Sequence, residues 1–272
     1  MNWFCPSVDR RKYNEGFNII TNNFFNFAIN TVNMEKSIRS FNPETDDKNW
    51  KILFETHFQN LQSLNSIATI WISGFSKLGI NQSKRPLVKD LNNAIKPYTG
   101  YNFIQTAENT ILEQIDWYKM IASFQMPLTN FVRIPEELDY CDEPDIFHDI
   151  MGHIPFLAEE EYSDMYQLLA NSYIKAFEAD RKDLLKELYF MGGLLIELGL
   201  IREPSGLKAF GSTFYSSSEV FEAFKPEHQI QFTTEALVSG ESYDRHSFQG
   251  KYYIFESIAQ LVDMIRNIDA RL

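Results

Sequence analysis

From residue 48 onward, apolar positions recur at steps of three and four, the period that lays them along one face of a helix. KNWKILFETHFQNLQSL (48–64) puts Trp50, Leu53, Phe54, His57, Phe58 and Leu61 in one stripe and predicts a helix. IATIWISGFSKLGI (67–80) predicts a second, stopped at Gly79. Pro86 opens a third that runs to about Ile95 and ends at Pro97, Thr99 and Gly100. AENTILEQIDWYKMIASF (107–124) makes a wide apolar face of Ile111, Ile115, Tyr118, Met120 and Ile121 and predicts a fourth. Two longer helical segments follow over 158–178 and 181–198, and a last helix starts near Phe255. Extended character is scarce. TNFVRI (129–134) reads as a short extended segment ended by Pro135, and GLKAFG, SSSEVFEAF and the alternating QGKYYIF follow Gly199. Few of these runs are long enough for a central sheet. The pattern therefore predicts a mainly α single domain with a few short β strands. Residues 1–45 are rich in Asn and Phe with weak periodicity, and read as an irregular arm packed on a body of residues 46–272.

Composition adjusts this picture in three ways. With 44% hydrophobic and 15% aromatic residues, the chain can fill one substantial core, and no linker divides it. A net charge of −12 argues against general nucleic-acid binding, which needs a surplus of Lys and Arg, but leaves room for a local basic pocket. Cys5 and Cys141 lie far apart, so a disulfide framework is not expected and a reducing cytoplasm is. No apolar run approaches the ~20 residues of a membrane-spanning helix. FNIITNNFFNFAI (17–29) is broken by asparagines and is not read as a signal peptide.

The candidate chemistry starts at EPDIFHDIMGHIPF (143–156), which gathers two of only five histidines. A helix starting near Pro144 suits this stretch. Five residues span ~500° of an α-helix, leaving His148 and His153 about 140° apart. Gly152 can end the helix and Pro155 cannot continue it, so His153 is expected to swing back toward His148. A metal centre on two imidazoles needs a further ligand. Glu197, inside the apolar LLIELGLI, is the best remote carboxylate, because an ionised group in such a setting needs a charged partner or a cation. A helix-surface glutamate is the plain alternative. Glu159, Glu160 and Glu161 read as a solvated helix start. Gly192 and Gly193 interrupt the helix before Glu197, for close helix packing or for space beside a ligand. Two histidines and one carboxylate form the facial triad of non-haem Fe(II) oxygenases; zinc on the same ligands would give a hydrolase, and the ligand types alone leave both open.

RIPEELDYCDEPDIFHDIMGHIPFL (133–157) closely resembles the pterin-dependent aromatic amino acid hydroxylases, in particular the bacterial phenylalanine 4-monooxygenases. The similarity runs over about residues 46–265 and includes WISGFSKLGI, PLVKDLNNAIKPYTGY, YFMGGLLIELGLIREPSGLKAFG and YSSSE. The resemblance implies Fe(II) held by His148, His153 and Glu197, a tetrahydropterin supplying two electrons, and dioxygen as co-substrate. It implies that Arg133 grips the substrate carboxylate, a role suited to a guanidinium fork; on the residues alone, a surface ion pair with Glu136 or Glu137 is the simpler reading. It places Ser216, Cys141 and Pro144 at the amino acid, and Trp117, Leu112, Tyr140 and Asp149 at the pterin or iron. Without it, Trp117 reads as core.

The chain also departs from the family pattern. The family commonly has tryptophan where this chain has Gly193, phenylalanine at Leu198, and glycine at Thr213. Gly193 and Leu198 are therefore expected to reshape the ring pocket, and an apolar pocket discriminates weakly between similar rings. The expectation is a cytoplasmic monomer acting on small molecules, an aromatic amino acid and a pterin, most simply converting phenylalanine to tyrosine. Tryptophan, or another ring position, stays open. His148-Asp149 also admits a metal-dependent phosphohydrolase, with His57 as a poor upstream ligand, and a non-catalytic helical binding protein is the third reading.

Overall fold

The computed structural model describes residues 43–106, 112–137, 141, 144–239 and 248–272. Most of the expected arm, the first turn of the fourth predicted helix (107–111) and Tyr140 lie outside them. Helix α1 (Pro43–Ser63) forms on the expected stripe and buries Trp50, Leu53, Phe54, His57 and Leu61. Helix α2 (Thr69–Leu78) buries Trp71 and closes on Gly79, whose φ of 60° is left-handed backbone that glycine adopts without a Cβ penalty. Helix α3 (Val88–Ile95) buries Leu91 and Ile95.

Strand β1 (Asn102–Gln105), helix α4 (Gln114–Ala122) and strand β2 (Gln125–Leu128) follow, and β1 pairs with β2 in parallel. The expected extended segment over 129–134 joins no sheet, and pairing stops at Leu128. Beyond it, backbone donors go to carboxylates instead of a neighbouring strand: Thr129 N–H to Asp149 (2.7 Å) and Arg133 N–H to Asp145 (2.9 Å).

The next helical run is continuous and consists of α5 (Ile146–His148), a π turn (Asp149–His153) and α6 (Ile154–Leu157). Helix α7 (Glu160–Glu178) turns Tyr162, Met165, Tyr166, Leu169, Tyr173 and Ala176 into the core, where α4, α8 and α11 pack on it. Helix α8 (Lys182–Phe190) leads into a second π turn (Met191–Glu197). After that come β3 (Leu200–Glu203), β4 (Gly206–Ala209), a 3₁₀ turn (Ser212–Tyr215) and α9 (Val220–Ala223). Strand β5 (Gln229–Gln231), α10 (Thr234–Ser239), β6 (Tyr252–Phe255) and α11 (Ile258–Asp269) complete the chain.

The larger sheet has the order β4-β3-β6-β5, with β6 parallel to both neighbours and β3–β4 antiparallel. All four β6 residues are buried, so the alternation read in QGKYYIF gives way to a strand covered on both faces. Aromatic rings join sheet to helices: Phe156 meets Tyr162 (5.1 Å) and Phe210 (5.2 Å), and Phe210 meets Phe255 edge-on (4.8 Å). The described residues therefore form a mainly helical body with small sheets. None of its helices is long and apolar enough to cross a membrane.

Candidate metal centre

The helix does not end at Gly152. It runs through Gly152 and Pro155, and its widening brings the histidines together. A π turn closes i to i+5, so residues five apart stack, whereas in an α-helix they diverge. His148 precedes this turn and His153 ends it, with rings 5.0 Å apart and Nε2 atoms 3.2 Å apart. The helix starts at Ile146 rather than near Pro144. Asp145 caps it, accepting the His148 backbone N–H at 3.0 Å, and Pro144 lies exposed just outside. Pro155 has no N–H for the carbonyl four residues back. That carbonyl belongs to Met151, and the Trp71 indole donates to it at 2.8 Å. Helix α2 holds this contact closely: a Cβ on Gly74 would overlap the Pro155 carbonyl.

Glu197 ends the second π turn. Its Oε1 lies 3.4 Å from His153 Nε2 and its Oε2 lies 3.6 Å from His148 Nε2. The three side chains offer donor atoms all within 4.8 Å of one another. Burial, opposed by Glu197, pushes His148 down to about 4 and lowers His153 as well. Burial alone would raise Glu197, but His153 and His148, then the Ser212 hydroxyl, hold it below its ordinary value. In the tautomers a metal requires, both Nε2 lone pairs would point to one spot beside the Glu197 carboxylate, and a cation there would engage all three side chains. The donor set suits iron, manganese or zinc. The tautomer that leaves His148 Nε2 free for a metal carries its proton on Nδ1, 2.9 Å from Ser216 Oγ, the outer partner a metal-bound histidine usually has. His153 Nδ1 is buried with no hydrogen-bond partner. Glu197 remains 24% exposed, so the cluster is reachable from one side.

The other sequence-derived residues fall into place around this cluster to different degrees. Arg133 is buried, and its ion pair is with Asp145 at 2.7 Å rather than with Glu136 or Glu137. Its Nη1 donates to the Ser216 carbonyl (2.8 Å), while its Nε is buried without a partner. Asp145 outweighs burial and raises the Arg133 pKa; Arg133 likewise holds Asp145 below the usual carboxylate range against burial. Asp149 turns away from the histidines to accept the Thr129 N–H and hydroxyl (2.7 and 2.8 Å), and burial pushes it up to about 7 against those bonds. Cys141 is half-buried with Sγ 3.7 Å from Glu137 Oε2. Trp117, half-buried on α4, packs on the core and donates to Tyr166 Oη at 3.3 Å. Leu112 is half-buried beside the undescribed 107–111.

Gly193 and Leu198 are both buried. At Gly192 a Cβ would stand 2.8 Å from the Tyr118 hydroxyl, so the second π turn passes close to α4 there. His57 packs against Phe147 (5.8 Å) and is not in the metal cluster, so the upstream ligand a phosphohydrolase needs is missing from it. Sequence reasoning missed Asp145, Thr129, Trp71 and Ser212. Only Asp145 had a readable signal, a capping carboxylate three residues before His148.

The comparisons agree with this geometry. The family model for biopterin-dependent aromatic amino acid hydroxylases matches residues 7–272, starting well before residue 46. The phenylalanine-4-hydroxylase of Ralstonia nicotianae is 27% identical over 237 residues, 86% of this chain and 72% of that protein. That of Pseudomonas aeruginosa is 27% identical over 230 residues, 82% of each. Phenylalanine hydroxylase from Legionella pneumophila superposes with a TM-score of 0.74 at 26% identity, covering 85% of this chain and 91% of that one. With a match over nearly its whole length and a histidine–histidine–glutamate cluster at its centre, the chain belongs to the biopterin-dependent aromatic amino acid hydroxylase family.

Proposed function

We propose that the protein hydroxylates the ring of free phenylalanine to give tyrosine, using Fe(II), a tetrahydropterin and dioxygen. The observation that carries this reading is the convergence of His148, His153 and Glu197, together with the names of its relatives. Zinc has no redox chemistry of its own, whereas iron and pterin bound together supply the reduction and cleavage of dioxygen. The chain's own work is to bind, orient and exclude water. His148 and His153 hold the metal through Nε2, Glu197 through its carboxylate, and Ser216 keeps the proton on His148 Nδ1. Arg133 presents its unpartnered Nε to the substrate carboxylate, while Asp145 and the Ser216 carbonyl fix the plane of the guanidinium. Cys141 stands by the amino-acid head group, and Pro144, Gly193 and Leu198 border the ring. Trp117 faces the pterin, with Leu112 and Asp149 around it, and the family resemblance assigns Tyr140 to the same cofactor.

The test is anaerobic loading with Fe(II), then a reduced pterin, oxygen and a panel of phenylalanine, tyrosine and tryptophan, with products identified by mass and ring position. Phenylalanine should give tyrosine, and His148→Ala should give none. No ring hydroxylation by iron-loaded protein, or a preference for tryptophan, would overturn the assignment. The protein is further proposed to act as a monomer in the cytoplasm. Light scattering should then give 31.8 kDa, and twice that mass would refute the monomer.

A further inference from the structure

The turn after β4 touches both ligand-bearing turns at once. A Cβ on Gly211 would overlap the backbone of Glu197, and a Cβ on Gly152 would stand 2.7 Å from the Ser212 carbonyl. Only glycine at these two positions lets the 3₁₀ turn wedge between the π turns. From there Ser212, fully buried, donates its hydroxyl to Glu197 Oε2, and Thr213 Oγ1 donates to the same oxygen at 3.3 Å. The two oxygens of Glu197 are therefore not equivalent. Oε2, 3.6 Å from His148 Nε2, has its lone pairs engaged by two hydroxyls, and Oε1, facing His153 Nε2 at 3.4 Å, receives none from the described residues. Hydrogen bonds to a carboxylate oxygen orient it and draw electron density from it, leaving its twin the better donor to a cation.

We propose that Ser212 and Thr213 are positioning residues that hold Glu197 as a one-oxygen ligand through Oε1. The coordination position that a chelating carboxylate would fill then stays open for reactants. This rests on the reading of His148, His153 and Glu197 as metal ligands. It adds that two hydroxyls on a separate turn decide how the third ligand binds, with Ser212 the stronger of the two.

Co(II) is the probe, because its visible bands weaken as ligands are added. Wild-type protein, Ser212→Ala, Thr213→Val, the double variant and Thr213→Ser are each titrated to saturation. The double variant should lose band intensity toward the weak spectrum of an octahedral ion as Oε2 joins the metal. Ser212→Ala should give most of that loss and Thr213→Val a smaller part. Thr213→Ser, which keeps the hydroxyl, should retain the wild-type spectrum. If the double variant fails to fold, the single variants decide by the same criterion. Wild-type spectra in all the hydroxyl-deleted variants, or equal losses in Thr213→Ser and Thr213→Val, overturn the proposal while leaving the metal centre standing. Failure of the wild type to take up Co(II) at all removes the metal centre itself, and this inference with it.

Discussion

The two π turns that build the centre are held in opposite ways. The first, Asp149–His153, lies in the middle of a helical run, and all five of its residues are buried. Its supports come from several other segments: the Asp145 cap at its entrance, Thr129 on Asp149, and Trp71 on Met151. The second, Met191–Glu197, lies at the end of α8 just before β3, and its ligand is partly exposed. Its glutamate is held chiefly through one neighbouring turn, by way of Ser212 and Thr213. A pair of ligands five residues apart can thus be placed by one local backbone widening. A lone ligand at a helix end depends on what packs against it.

Breaking the first turn's supports should have the largest effect. Asp145→Ala strands the buried Arg133 and uncaps His148, and unfolding in urea should show a loss of about 3–5 kcal/mol. A loss under about 1 kcal/mol would mean that this turn does not lean on Asp145. Metal should sharpen the contrast. A divalent ion at about 100 times its Kd should stabilise the fold by ~2.7 kcal/mol. Amide exchange should slow more over Met191–Glu197 than over Asp149–His153, and equal slowing would argue that the two turns are equally held beforehand. Gly152→Ala forces the first turn away from Ser212 and should lower stability by about 1–3 kcal/mol, with weaker metal uptake. Gly192→Ala should be the mildest change. The neighbour it meets is the far end of Tyr118, which can shift, and the helical gain of ~1 kcal/mol offsets the crowding. A loss beyond about 2 kcal/mol there would show that the second turn is packed as rigidly as the first.

The same contrast explains what the sequence revealed. Helices α2, α3, α7 and α11 were legible to within a few residues, and α1 (Pro43–Ser63) apart from its first turn, because their apolar residues keep the 3.6 period that burial enforces. The two histidines were visible as scarce residues in a dense stretch, and Glu197 as a charge in an apolar run. The widening of the helix between the histidines was not legible. A periodic reading assumes one helical pitch, and so it ended the helix at Gly152. The pitch is set there by Trp71 and by the contact of Gly74 with Pro155, both some eighty residues away. That the extended segment over 129–134 joins no sheet was hidden for a related reason. Its residues could not reveal that their backbone donors would be claimed by Asp145 and Asp149. The hydroxyls on Glu197 were hidden because nothing in GSTFYSSSE says which way that turn will face.

The Trp71–Met151 bond has one more consequence. The stretch from 143 to 157 carries both imidazoles, yet its distorted pitch depends on an indole contributed by an earlier helix. Cut out as a synthetic peptide, it would relax to an ordinary coil or helix, and its two nitrogens would part. Grafting the motif into another scaffold would therefore require bringing a donor for that stranded carbonyl along with it.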